Sequence, residues 1–344
     1  MGPRNLVFIA LLSMALVLPR MTLADTMTAK QILTTFNAVI TGTFTSAADV
    51  EGRLVAGTIF QPNGSPGFYN MPSPIANNVT NFQEVNALNI TACGSTTGAR
   101  CIASNGASVN WVNSQTGAWF FNSGLGRPPG MLVHNSPSFT MSQFTVPLNA
   151  LEAQLSTLTA NSTAINSFGT LVFNITPGPN GVAVFNVPVA TLQAAGGIMF
   201  TGFSSNQTII VNVTGTAGYT YMQGTAFFNP PASCTPQQQP CFNNQLIWNF
   251  QNAGTLSFFN WNGSVLAGNA SVTGTGAPIN GFLYAANYTG LQPGSELHNF
   301  PFVGEIEEEE VVPEPSTWTM LTLGIAGLGL LGWRRGLTKS GALL

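Results

Sequence analysis

Short stretches in which apolar and polar residues alternate make up most of the chain between residues 37 and 302, with Gly, Asn and Pro between them. Residues 38–40 and 43–45 are predicted as strands on either side of a turn at Thr41 and Gly42, and residues 50–56 as one further strand. Further strands are predicted at residues 170–173, 182–187, 197–200, 208–213, 246–250, 255–259, 263–273 and 277–285. Short strands with Gly and Asn at their corners predict an all-β fold, either the stacked coils of a β-solenoid or, as the alternative, a β-sandwich.

One segment departs from this pattern. Leu148, Leu151, Leu155 and Leu158 recur at helical spacing, and Pro147 suits the first position of a helix. A single amphipathic helix in a β protein has to bury its apolar stripe against a sheet. We therefore expect one α-helix along the flank of the β body.

The first 24 residues have the features of a signal peptide. Arg4 precedes an apolar run over residues 6–18, and small residues lead up to Ala24. The run is too short for a membrane-spanning helix. We expect signal peptidase to cut between Ala24 and Asp25, so that the rest of the chain is exported.

The C-terminal tail combines an acidic, a hydrophobic and a basic part. Residues 305–311 form an acidic spacer, and residues 312–336 contain Pro313, Glu314, Pro315, an apolar segment expected to be a transmembrane helix, and Arg334 and Arg335. The two arginines predict a cytoplasmic location for the short end at residues 337–344. The tail resembles the PEP-CTERM sorting signal. This resemblance implies that an exosortase recognises and cleaves the tail after a transient stay in the inner membrane.

Charged residues are scarce in the body, residues 25–304. Its basic residues are Lys30, Arg53, Arg100 and Arg127, and these are scattered along the chain. Nucleic acid is excluded as a partner, because phosphate binding needs clustered Lys and Arg. Asp25 and Asp49 are the chain's two aspartates, too few for repeated calcium sites. No metal or cofactor is expected.

The cysteines fall into two local pairs, Cys93 with Cys101 and Cys234 with Cys241. Export favours disulfides, and zinc ligands are usually spaced more tightly than these residues. Three connectivities are possible. We expect the two local pairings, each closing a surface loop.

Asp49, Glu51 and Arg53 alternate along the strand predicted at residues 50–56 and would share one face of it. They could fix the end of a strand, bind a ligand or a cation, or act as an acid and base in glycoside hydrolysis. We expect the structural role. Since His134 and His298 are far in sequence from Asp49, a catalytic triad is not indicated. No catalytic residue is assigned, and the chain is not expected to be an enzyme.

Two classes of side chain could form a binding face. One is a set of hydroxyl residues like those of ice-binding solenoids: Thr214, Thr216, Thr220, Thr225, Thr273 and Thr275. The other is a sugar-stacking platform made from Trp111, Trp119, Trp248, Phe250, Phe258, Phe259 and Trp261. Threonine is also a common strand residue, and we expect most of the aromatic rings in the core.

Five segments of the body resemble the choice-of-anchor A domain: residues 42–57, 247–250, 263–270, 279–281 and 296–302. Members of that family are exported and carry one of several anchoring signals, the PEP-CTERM tail among them. The resemblance implies an exported cell-surface or extracellular-matrix protein. Together with the scarce charge, it favours a structural or adhesive role with extracellular polysaccharide as the partner. The alternatives are a specific binding module for carbohydrate or ice and, third, a glycan-acting enzyme.

Overall fold

The computed structural model describes residues 27–61, 66–71, 81–93, 100–217, 220–222, 227–229, 234 and 240–306, with the backbone alone at 220–222, 227–229 and 240–241. The chain divides into two units, residues 1–306 and 307–344. The expected signal peptide with Ala24 and Asp25, the spacer beyond Ile306 and the tail with its hydrophobic helix lie outside the described residues. Within the described part, no helix is both long enough and apolar enough to cross a membrane.

Strands are the most common regular element in the described chain. They are β1 (Ala38–Ser46), β2 (Val50–Glu51), β3 (Leu54–Gln61), β4 (Gly67–Tyr69), β5 (Val85–Cys93), β6 (Cys101–Ser104), β7 (Val109–Gln115), β8 (Trp119–Phe121), β9 (Leu132–His134), β10 (Thr163–Ser167), β11 (Thr170–Asn174), β12 (Val182–Pro188), β13 (Gly197–Thr201), β14 (Thr208–Thr214), β15 (Thr220–Met222), β16 (Phe227–Asn229), β17 (Leu246–Asn249), β18 (Thr255–Phe258), β19 (Trp261–Asn262), β20 (Ser264–Gly274), β21 (Ile279–Asn280), β22 (Leu283–Gly290) and β23 (Leu297–His298). The helices are α1 (Ala29–Thr35), α2 (Ser142–Ser156), α3 (Val189–Gln193) and α4 (Pro240–Asn243).

These strands form coils that stack on one another. The main path of the largest sheet has the order β12-β14-β17-β20-β22-β1-β3-β5-β7-β9, and the strands between these lie in sheets of order β19-β21-β23-β2-β4-β6-β8 and β10-β11-β13-β16. Neighbouring strands run parallel, as β1 and β3 do, whereas β10 and β11 form an antiparallel hairpin. When a strand pairs in parallel with the strand two places further along the chain, the two strands belong to successive coils that stack on each other. The mostly parallel sheets agree with the solenoid prediction rather than with an antiparallel sandwich.

The coils do not stack in the order of the sequence. β1 lies in the middle of the large sheet, between β3 and β22. The chain therefore builds from β1 to β9 in one direction. It then passes along α2 to the opposite end of the sheet and builds back from β12 to β22, where the last coil meets the first.

The predicted flanking helix is present, but it begins earlier than predicted. α2 starts at Ser142, so Pro147 lies inside the helix and not at its first position. Phe144 is buried one turn before Leu148, so the apolar stripe begins there too. The packing of this ring extends the helix past a proline that removes a single backbone hydrogen bond. The expectation of one helix was also wrong, because the described residues contain three shorter helices.

The buried residues form two layers. Side chains that point into the coils form one cluster, which includes Phe44, Ile59 and Val272. Side chains that point outward from the first halves of the long strands, such as Val39 and Tyr284, pack against α1 and α2 in the second cluster. The helices therefore cover one outer face of the coils and leave the other faces for solvent or ligands.

A bend in the long strands separates the helix-covered face from the next one. The predicted turn at Thr41 and Gly42 is wrong, because β1 continues through it with a register shift between Ile40 and Phe44. A side chain at Gly42 would come within 2.6 Å of Asn287 Oδ1, so the glycine permits close approach of β22. Similar register shifts occur between β20 and β22 and between β5 and β7. The second halves of these strands form the candidate binding face.

Candidate binding face

Hydroxyl and amide side chains point outward from the second halves of neighbouring strands. Outside the bulge of β5, the residue between two outward positions of a strand points inward, as Phe44 and Val272 do in the core. The parallel register aligns the outward positions in two columns, which we call the hydroxyl face. The first column is Thr255, Ser271, Asn287, Thr43, Thr58, Asn89 and Ser114, and the second is Ser257, Thr273, Thr289, Thr45, Phe60 and Ala92.

The spacing on this face is set by β geometry. Neighbouring strands lie about 4.8 Å apart and alternate residues of one strand about 6.7 Å apart, so the side chains form a regular two-dimensional array. The array is held in register by polar contacts: Thr43 N donates to Asn287 Oδ1 over 2.9 Å, and Asn287 Nδ2 donates to Ser271 Oγ over 3.2 Å.

The hydroxyl groups of the second column are available to a ligand. Thr45, Thr273 and Thr289 are partly exposed, and their hydroxyls have no hydrogen-bond partner among the described residues. A hydroxyl both donates and accepts a hydrogen bond. These three hydroxyls of the second column can therefore bind an ordered polar surface without first breaking bonds within the protein.

The six threonines singled out from the sequence as a candidate binding face identify the hydroxyl face only in part. Thr273 lies on it, but Thr275 donates its hydroxyl to Phe258 O over 2.8 Å, and Thr216 donates to Gln251 O. Thr214 ends β14 in another part of the sheet, the side chain of Thr220 is not described and Thr225 lies outside the described residues. The strands of this face share a pattern that the sequence analysis did not use, in which polar residues stand on both sides of an apolar one. Residues 43–45, 271–273 and 287–289 show it.

The predicted grouping of Asp49, Glu51 and Arg53 on one strand face is wrong. β2 ends at Glu51, and the chain turns at Gly52, whose φ is +89°. The side chain of Arg53 lies beyond this turn, where burial lowers its pKa while Glu84 raises it. The positive φ of the glycine makes the corner, which places the arginine on a different face from the two carboxylates.

The two carboxylates are engaged with nearby backbone. Asp49 Oδ1 accepts a hydrogen bond from Gly67 N over 3.1 Å, and Glu51 Oε2 accepts one from Asn299 N over 3.3 Å. Burial raises the pKa of Asp49, the bond from Gly67 lowers it, and Glu296 and Glu51 raise it. These contacts hold the ends of short strands together.

His298 lies in the same neighbourhood. Its Nε2 is 2.7 Å from Glu296 Oε2 and its Nδ1 is 2.8 Å from Asn280 Oδ1, so both ring nitrogens have protein partners. His134 instead stacks on Trp111, with ring centroids 3.9 Å apart. Among the described residues, no group of three or more His, Cys, Asp and Glu side chains is arranged to hold a metal ion.

Cysteine pairing is confirmed for one predicted disulfide. Cys93 and Cys101 are bonded, and they join the end of β5 to the start of β6. Cys234 is also disulfide-bonded. Because the side chain of Cys241 is not described, the pairing of Cys234 with Cys241 stays a prediction.

The aromatic residues are distributed much as expected. Trp248, Phe250, Phe258 and Trp261 are fully buried, and Trp248 and Trp261 pack with ring centroids 4.8 Å apart. These rings fill the coils and do not form an external platform. Phe60, which lies on the hydroxyl face, was not among the aromatic residues singled out from the sequence.

The described chain is a parallel β protein of stacked coils with an ordered polar face. A model of the family described as "Putative Ice-binding-like adhesive domain" matches residues 29–299, and the chain belongs to this family. A model of the PEP-CTERM protein-sorting motif matches residues 311–335. These matches define an exported cell-surface protein that is anchored transiently in the membrane and is processed by an exosortase during export.

Two solved structures are similar to the chain. One is an ice binding protein from an Antarctic biological consortium, with 12% identity over 78% of this chain and 89% of that chain and a TM-score of 0.39. The other is an ice-binding protein from the Antarctic ascomycete Antarctomyces psychrotrophicus, with 12% identity over 76% of this chain and 96% of that chain and a TM-score of 0.31. No curated protein sequence matches the chain.

Proposed function

We propose that this protein is a non-enzymatic surface adhesin whose hydroxyl face binds extracellular polysaccharide. Export and sorting place the body outside the cell, where such a polymer is available. We also propose that it belongs among the choice-of-anchor A proteins, on the resemblance of five segments of the body and on the presence of an anchoring tail.

The observation that carries the proposal is the alignment of unpaired hydroxyls across stacked strands. Thr273, Thr289 and Thr45 occupy successive positions of one column. Each exposed hydroxyl can bond to a sugar hydroxyl, and many such weak bonds along a rigid face add up through multivalency. The carboxylates of Asp49 and Glu51 already bind backbone groups, which supports a role in structure and not in catalysis.

Ice is the second candidate ligand. The family is described as an ice-binding-like adhesive domain, and a regular array of threonine hydroxyls is also suited to an ordered water surface. The same face would serve both ligands, so the experiment has to include both.

The test is a triple variant, T45V/T273V/T289V. Valine keeps the shape and strand propensity of threonine but removes its hydroxyl. We expect the variant to lose at least about tenfold of its affinity for immobilised polysaccharides, since each lost hydrogen bond is worth about 1 kcal/mol. Pull-down on cellulose and related insoluble glucans measures the affinity, and adsorption to polycrystalline ice is measured in parallel.

T163V is the matched control, because Thr163 is exposed on β10, in another sheet. It should bind like the unmodified protein. Unchanged binding by the triple variant, with its melting temperature preserved, would show that the hydroxyl face is not the binding site.

A further inference from the structure

One aromatic ring interrupts the second column of the hydroxyl face. Phe60 is 42% exposed and follows Thr45 in the column, while Ile59 beside it points into the core. A single exposed phenylalanine is not unusual on a protein surface. This one stands among exposed hydroxyls at a position where other strands of the column carry Ser or Thr.

The strand that follows Phe60 in the column carries a small side chain and a bulge. Phe60 pairs with Ala92, which covers less of the surface next to the ring than Ser or Thr would. β5 has an extra residue here, because Ile59 pairs with Ile90 and Phe60 with Ala92. The extra residue, Thr91, is exposed, and the bulge is held by Thr116 Oγ1, which donates to Thr91 O over 2.7 Å. Bulges of this kind redirect a side chain.

The resulting site has an apolar floor and polar sides. The floor is the ring of Phe60, and Thr45 and Thr91 lie on the two strands next to it. A pyranose ring has the complementary pattern, with C–H groups on its face and hydroxyls around its edge. The electron-rich face of an aromatic ring attracts such C–H groups. An ice surface offers only O–H groups, which bond to an aromatic ring more weakly than to a hydroxyl group.

We propose that Phe60 is the subsite on which a pyranose ring of a polysaccharide stacks, and that it makes the hydroxyl face select polysaccharide over ice. The inference rests on the proposed function, because it takes the hydroxyl face as the binding surface. It adds the ligand class and the place on the face where that class is recognised.

The test compares F60L with F60W in the full-length protein. Leucine keeps an apolar side chain without a ring, and tryptophan restores a ring. We expect F60L to weaken binding to a panel of immobilised β-linked hexopyranose polysaccharides, cellulose included, by at least about tenfold, and F60W to stay within about threefold of the unmodified protein. Binding to poly(vinyl alcohol), a hydroxylated polymer without sugar rings, and adsorption to ice should be unchanged in F60L.

F168L is the matched control, because Phe168 is a fully exposed phenylalanine in the turn between β10 and β11. It should bind the panel normally. If F60L binds the panel as well as the unmodified protein does, the Phe60 subsite is wrong. The adhesive function would still stand if T45V/T273V/T289V loses binding. If the unmodified protein adsorbs to ice and binds no polysaccharide of the panel, the selectivity for polysaccharide is overturned.

Discussion

At the scale of single residues, the carboxyl group of Glu152 is buried. It is 4% exposed on α2, and its Oε1 accepts a hydrogen bond from Gly268 N over 2.9 Å. Burial raises the pKa of Glu152 to about 7 from an ordinary value of 4.5, although the bond from Gly268 lowers it. The folded protein therefore holds this proton more tightly than the unfolded chain does.

We predict that stability falls as the pH rises through this interval. Below about pH 4.5 the Glu152 carboxyl group is protonated in both the folded and the unfolded protein. Between pH 4.5 and about 7 only the unfolded protein loses this proton, so the free energy of unfolding falls up to about pH 7. The full effect of this group is about 3 kcal/mol. Denaturant unfolding at pH 5 and pH 8 measures most of this effect. In E152Q the pH-dependent difference should largely disappear, and an equally steep decline in E152Q would contradict the assignment.

At the scale of elements, a row of asparagines fastens α2 to the sheet. Asn186, Asn212 and Asn249 pair in register on β12, β14 and β17. Asn212 Nδ2 donates to Leu155 O over 2.7 Å, and Asn249 Nδ2 donates to Glu152 O over 2.9 Å. The row thus provides additional hydrogen-bond donors to backbone carbonyl groups in the last two turns of the helix.

We predict that N212D destabilises the protein by more than about 2 kcal/mol, because the new carboxylate cannot donate to Leu155 O and is buried beside another oxygen. The control is N269D, which adds the same charge at an exposed asparagine of β20 and should change the free energy of unfolding by less than about 0.5 kcal/mol. Equal effects in the two variants would mean that the row does not fasten the helix.

Local sequence patterns predicted many of these elements but not all of their boundaries. The period-two strands and the leucines of α2 are local signals. The start of α2 depends on the burial of Phe144, and the continuity of β1 depends on the close approach of β22 at Gly42. Both are tertiary contacts. For the same reason, single threonines did not reveal the hydroxyl face, whereas the triplet at residues 43–45 contains its repeating unit.

At the scale of the whole molecule, the stacking order could not be read from the sequence. Each coil has the same inward and outward pattern, so any coil could in principle stack on any other. In the structure, the strands at the two ends of the chain meet: Thr43 N donates to Asn287 Oδ1 across 244 residues of sequence. The neighbouring segments meet as well, because Lys30 Nζ lies 2.5 Å from Glu305 Oε2.

This order predicts the behaviour of circular permutants of residues 27–306. Joining Ile306 to Met27 with a short Gly-Ser linker and opening the chain between Thr159 and Ala160 gives a protein whose coils follow one another in sequence, with α2 last. Because the pairing of β22 with β1 becomes local, we expect this permutant to refold at least about threefold faster than the unpermuted body. Stopped-flow fluorescence of the buried Trp248 and Trp261 measures the rate.

The matched control has the same linker but opens between Thr275 and Gly276, in the turn after β20. This opening also lies in an exposed turn. It makes the pairing of β22 with β1 local but the pairing of β20 with β22 long-range, so the number of long-range strand pairings does not change. It should therefore refold no faster than the unpermuted body. If both permutants refold faster than the unpermuted body by the same factor, the linker and not the order of the coils is responsible. If only the permutant opened at Ala160 refolds faster, the slow step in the native chain is the pairing of the first coil with the last. The native order of the coils makes this pairing long-range.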